Sequence, residues 1–153
     1  MKKRWSEKEE NIRKAIWFLM FISIFVFIFD HVFKISPQEG CFFFICMEYG
    51  KNYGAAFSLF SGFPWINLIL VTIGLFLLAV VCFFYFKTEE KSLRIALALI
   101  FAGTLSNTLD RIFLGYVTDY FTFSFWKNFP TFNIADLTNT AGVILLIVSL
   151  LKK

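Results

Sequence analysis

The chain has 153 residues, which allows one domain, with a net charge of +4; hydrophobic residues make up 58% and charged residues only 17%. A soluble domain carries roughly a quarter charged residues and, at this length, could not hide so much apolar surface. Those numbers exclude an ordinary soluble protein, and the basic residues flank apolar runs instead of forming a patch among exposed aromatics, which argues against nucleic-acid binding.

In chain order, a basic tail leads into the first apolar run, 15–35, interrupted only by Asp30, His31 and Lys34 near its far end. It mimics a signal peptide but lacks a small-residue cleavage site, so it reads as a retained helix. Further runs cover 64–86, 92–113 and 133–151, each long enough for the roughly 20 apolar residues of a membrane span. The expected fold is a mainly α, four-span membrane bundle, a single domain over 1–153. Connections 36–63 and 114–132 lie between spans. The first is rich in aromatic and β-branched residues with glycines and predicts short strands. The second contains FTFSFWKNF and predicts a segment lying along the membrane surface. Cys41 and Cys46 read as two buried thiols, because on one strand a separation of five points their side chains to opposite faces. Cys82 reads as packing, and the single histidine, His31, as structural.

Orientation follows the cations. Lys2, Lys3, Arg4, Lys8, Arg13, Lys14, Lys87, Lys91, Arg94, Lys152 and Lys153 fall on one side, 11 of the 15, leaving Lys34, Lys51, Arg111 and Lys127 for the other. Both termini are thus expected in the cytoplasm. At 1.5 Å per helical residue, Asp30 lies about 22 Å and Asp110 about 27 Å from the cytoplasmic ends of their spans. Asp136 opens the fourth span and Asp119 follows the third. All four carboxylates fall in one slab at the outer leaflet.

A charge at that depth costs a few kcal/mol or more and persists when paired or when it performs a task. Asp30 has Lys34 one turn away, and Asp110 has Arg111 beside it. Asn107, Asp110 and Arg111 read as one polar face, above Gly103, whose missing side chain permits close helix approach. Asn133, Asp136 and Thr140 form another stripe. Asp119 and Asp136 have no cationic neighbour in sequence. Two such carboxylates in a water-poor pocket cannot both ionise, so one keeps its proton, as aspartic peptide hydrolysis requires. On spacing alone, Asp119 reads equally as a solvated loop residue and Asp136 as a helix cap. Three function classes therefore stand: an intramembrane aspartic peptidase, a small ion- or proton-coupled carrier, and a non-catalytic binding protein. The carrier is disfavoured because the polar residues stop at one leaflet.

Four blocks then carry a resemblance: Asn52 to Ser58, Gly103 through Asn107 to Asp110 and Arg111, Val117 to Tyr120, and Phe132 to Asp136. Their order and spacing resemble those of bacterial lipoprotein signal peptidase (signal peptidase II), over about residues 30–142. The resemblance implies an endopeptidase of the bacterial cytoplasmic (inner) membrane that cleaves diacylglyceryl-modified prolipoproteins before the lipidated cysteine. It implies Asp119 and Asp136 as catalytic dyad, with Asn52, Asn107, Arg111 and Asn133 as supporting polar residues. Asp30, Lys34, Gly54, Gly103, Asp110 and Ala135 match further motif positions. It also implies a small extracytoplasmic β-sheet over 36–63, a short interfacial helix after Asp119, and no metal or organic cofactor. The expected partners are the lipidated substrate and membrane lipids, with the chain acting as a monomer. Two positions depart from the family pattern: Phe33 replaces a hydroxyl, and Asn139 replaces an aliphatic residue.

Overall fold

In the computed structural model, which describes residues 2–35, 39–126 and 129–152, each apolar run is a helix. They are α1 (Lys2–Ile35), α2 (Ile66–Lys87), α3 (Lys91–Phe113) and α4 (Ile134–Leu151). All four are long and apolar enough to cross a membrane, α1 over Glu9–Ile35. Residues 36–38, which open the first connection, lie outside the described residues, as do Lys127, Asn128, Lys153 and the side chains of residues 1–6 and 8. The helix boundaries agree with the sequence reading within two residues except at the start of α1, which begins at Lys2 instead of near residue 15. The tail continues the helix because it is made of good helix formers, and Glu10 pairs with Lys14 one turn on, at 2.7 Å.

Helix α3 is the centre of the bundle. It packs on α1, α2 and α4, and Ala96, Ala98, Ala102 and Ser106 on it are almost fully buried. Small residues permit this: in lipid, helices associate through close packing more than through the hydrophobic effect. The outward faces of the other helices stay apolar, with Trp17, Phe21, Phe76 and Ile144 exposed, as a lipid-facing surface must be. At the end of the bundle away from the sheet, the Tyr85 hydroxyl donates to the Ala15 carbonyl at 2.8 Å and ties α2 to α1.

A three-stranded antiparallel sheet caps the opposite end: β1 (Gly40–Phe42), β2 (Ile45–Asn52) and β3 (Val117–Phe123), in the order β1-β2-β3. Here the structure corrects the cysteine reading. Cys41 and Cys46 are not on one strand. A turn with Phe43 at φ 55° reverses the chain between them, so they become directly opposed partners across the hairpin and form a disulfide. Opposed residues of an antiparallel pair share a face, whereas residues five apart on one strand do not.

The structure also differs in the second connection. Among the described residues between α3 and α4 there is no helix; 117–123 is the third strand, and Phe121 bridges back to Phe132. Val117-Thr118-Asp119-Tyr120-Phe121-Thr122-Phe123 is β-branched and aromatic almost throughout, and the open edge of β2 satisfies its backbone. Aromatic packing of Phe123, Phe129 and Phe132 closes the segment beyond it. The short helical element outside the spans is a 3-10 turn, Ala56–Ser58, in the first connection.

Candidate active site

Strand pairing sets the site from one side. Past an irregularity between Met47 and Gly50, β2 pairs Gly50 with Asp119 and Asn52 with Val117. Asn52 thereby lies diagonal to Asp119, and its Nδ2 donates to Asp119 Oδ2 at 3.0 Å. Its Oδ1 accepts from the Gly54 N–H at 3.0 Å, turning the chain at once. A Cβ on Gly54 would meet the carbonyl of Leu59 and lie 2.7 Å from the carbonyl carbon of Ser58, so only glycine fits that turn.

Helix α4 sets the other side. Asn133 caps it: its side chain accepts from the Asp136 N–H at 2.9 Å, and Asp136 Oδ2 accepts from the Asn133 N–H at 3.2 Å. This reciprocal pair satisfies helix-end donors and fixes the rotamer of Asp136. The second carboxylate oxygen accepts from Asn107 Nδ2 of α3 at 2.8 Å. The amide of Asn133 also reaches across to β3, donating to Asp119 Oδ1 at 2.8 Å and to Asn107 Oδ1 at 3.2 Å. One asparagine therefore binds both carboxylate-bearing segments.

Asp119 and Asp136 line one cavity of about 470 Å³, together with Asn52, Asn107, Arg111, Asn139, Thr140 and a wall of Phe57, Phe123, Phe129 and Phe132. Asp119 is 3% exposed. Burial, and then the negative charge of Asp136, push its carboxyl up to about 7, against the hydrogen bonds from Asn52 and Asn133. A group poised there can hold a proton at neutral pH and give it up.

Other candidates lie elsewhere. Arg111 lines the cavity, but it does not pair with Asp110: adjacent helix residues point about 100° apart. Its guanidinium donates to the Gly54 carbonyl at 3.0 Å and the Asn107 carbonyl at 3.3 Å, tying the β2 turn to α3. Asp110 instead meets Lys34 at 2.7 Å, and Lys34 also pairs with Asp30. This buried triad sits behind the site and does not line the cavity. Ala135 is fully buried and is not among the residues lining the cavity. A Cβ on Gly103 would meet the Ala135 carbonyl and lie 2.7 Å from Asn139 Oδ1, so Gly103 sets the α3–α4 approach.

The two departures acquire partners. Asn139 Oδ1 accepts from Thr104 at 3.2 Å, and Phe33 stacks on Tyr120 with ring centroids 5.7 Å apart. His31 stacks on Phe27 one turn earlier. Two residues given no role in the sequence reading bind Asp30: Ser106 Oγ and the Tyr120 hydroxyl each donate to it at 2.8 Å. Ser106 carried a signal, four residues before Asp110 on a buried polar face; the Tyr120 bond spans 90 residues and carried none. Among the described residues, no three His, Cys, Asp or Glu side chains cluster as a metal site needs.

Comparison with known proteins agrees with this architecture. A family model described as "Signal peptidase (SPase) II" matches residues 22–152. The lipoprotein signal peptidases of Staphylococcus aureus strains JH9 and N315 are each 37% identical to the chain over 151 residues, covering 86% of it and 86% of the relative. A bacterial membrane enzyme solved by the in meso method at 2.3 Å resolution superposes with a TM-score of 0.78 at 34% identity, covering 90% of this chain and 89% of that one. A second such structure, at 1.9 Å, gives 0.75 at 33% identity, covering 90% and 95%. With the match running from the middle of α1 to the end of α4, the chain belongs to the signal peptidase II family.

Proposed function

We propose that Asp119 and Asp136 are the catalytic pair with which this membrane peptidase cuts the signal peptide from prolipoproteins. The observation that carries the reading is the convergence of two carboxylates, from β3 and α4, on one cavity and one shared asparagine. With its carboxyl raised to about 7, Asp119 holds the shared proton and donates it to the scissile carbonyl oxygen. Asp136 is then the carboxylate that takes a proton from the attacking water. Asn52, Asn107 and Asn133 hold both groups in register, and Arg111 holds the β2 turn against α3. Asp30, Lys34, Asp110, Gly54, Gly103 and Ala135 support the scaffold behind them.

The substrate is a diacylglyceryl-modified prolipoprotein, cut just before its lipidated cysteine. Its lipid would hold that bond at the outer leaflet, level with the ends of α1, α3 and α4 where the cavity lies. Both termini then face the cytoplasm, which the distribution of Lys and Arg supports. We read the chain as a single domain that acts as a monomer. The carrier reading is not favoured, because α2 carries no charge before Lys87 and α3 carries no charged side chain between Arg94 and Asp110.

The test is cleavage of a diacylglyceryl-modified prolipoprotein by the purified protein in lipid, beside Asp119→Asn and Asp136→Asn. Each change is expected to lower the rate by about 10²–10⁴-fold, the usual worth of a positioned acid or base. A mutant cleaving at the wild-type rate removes that residue from the pair.

A further inference from the structure

Asp119 and Tyr120 are neighbours on a strand, so their side chains leave it on opposite faces. Asp119 faces the cavity. Tyr120 points away from it, is fully buried, and is not among the residues lining it. Its hydroxyl makes two bonds of opposite sense. It donates to Asp30 Oδ1 of α1 at 2.8 Å and accepts from the Ile134 N–H at 3.1 Å. Ile134 is the first residue of α4, and its N–H is one of the donors that no helix can satisfy internally.

Each end of this connection is anchored. Asp30 is fully buried, and its other oxygen takes both Lys34 and the Ser106 hydroxyl, so α1 and α3 fix its position. The ring of Tyr120 stacks almost parallel on Phe33 and also packs against Tyr49. Burial, then the nearby charge of Asp30, raises the phenol well above its ordinary ionisation range, so it stays a neutral donor and acceptor. Its backbone and that of Phe121 donate to the Phe132 carbonyl at 3.0 and 2.8 Å, just before the Asn133 cap.

We infer that the Tyr120 hydroxyl is a positioning group for the catalytic pair: it locks the first turn of α4, which carries Asp136, against the strand residue adjoining Asp119, with the buried Asp30–Lys34–Asp110 triad as its anchor. This rests on the assignment of Asp119 and Asp136 made above. The group touches neither substrate nor reacting atoms. It acts through the separation and orientation of two carboxyls, where an error near 1 Å can cost up to about a hundredfold in rate.

The experiment compares Tyr120→Phe with Tyr49→Phe, in lipid, on a diacylglyceryl-modified prolipoprotein. Tyr49 is a suitable control because its hydroxyl also makes a hydrogen bond, to the Phe33 carbonyl at 2.7 Å, and that partner lies on α1 instead of α4. Tyr120→Phe is expected to lower kcat about tenfold or more with KM within about twofold, while Tyr49→Phe leaves kcat unchanged. A wild-type kcat for Tyr120→Phe, or a loss expressed only in KM, overturns the inference. Asp119→Asn and Asp136→Asn are run alongside. If they still cleave, the catalytic assignment falls; if they are dead while Tyr120→Phe is normal, only the positioning role falls. Should Tyr120→Phe fail to fold, hydrogen exchange at the Ile134 amide of the wild-type protein decides. Protection matching the interior of α4 supports the bond, and free exchange overturns it.

Discussion

Asn133 offers the sharpest separation of stability from chemistry, because its side chain performs two distinct tasks. Its Oδ1 caps α4 through the Asp136 N–H, and its Nδ2 donates to Asp119. Asn133→Ala removes both. Loss of the cap costs about 1 kcal/mol. Loss of a donor to a buried carboxyl costs a further ~1.5–3 kcal/mol. Asn133→Ser restores the cap, since serine is a good N-cap residue, but its short side chain does not reach Asp119. Serine should therefore recover about 1 kcal/mol of stability over alanine, read by reversible unfolding in mixed micelles. Cleavage should not recover: both variants should lose about 10–100-fold in kcat, as expected if Asp119 is the catalytic carboxyl proposed above and loses its positioning partner. The assay is the mobility shift of the lipidated prolipoprotein. Serine restoring cleavage to near the wild-type rate would refute the reasoning, since the cap alone would then account for the effect. So would an alanine variant that cleaves normally.

Two further outcomes follow from charge. The proposed catalytic pair needs its shared proton, and burial raises the Asp119 carboxyl to about 7, so kcat should fall as pH rises through about 7, approaching tenfold per unit above it. The same group titrates at its ordinary 3.8 when unfolded, so between those values the native state binds the extra proton and stability contributed by this group declines as pH rises; unfolding at pH 5 and pH 8 checks the sign. Lys34→Met leaves Asp30 and Asp110 buried without their cation, and breaking such a cluster costs about 3–5 kcal/mol. Unfolding measurements should register that loss, and a variant as stable as the wild type would mean that the triad is not held together by its charge.

Local physics made the spans, and the end of the bundle at which the carboxylates gather, legible in the sequence. A run of about 20 apolar residues has one low-energy form in lipid, because a helix alone satisfies its own backbone. Position along a helix then follows from rise per residue, which is why Asp30, Asp110, Asp119 and Asp136 could be assigned to one end of the bundle from position alone. The capping box at Asn133 and Asp136 is equally local, needing only a spacing of three.

What the tertiary structure decided is partnership. Along the chain Asp110 sits beside Arg111, but helix rotation sends the two side chains apart and brings Asp110 to Lys34 from another helix. The hairpin turn at Phe43 made a bonded pair of cysteines that a single-strand reading sets on opposite faces. The start of the stretch after Asp119, expected as an interfacial helix, continues β3 to Phe123 because β2 offered an edge to pair with, and no local propensity encodes a neighbour's open edge. Helix content and position along a helix are sums over nearby residues, so composition and spacing determined them. The contacts of Tyr120 with Asp30, and of Asn133 with Asp119, join segments separated by up to 90 residues, and only the packed bundle brings them within bonding range.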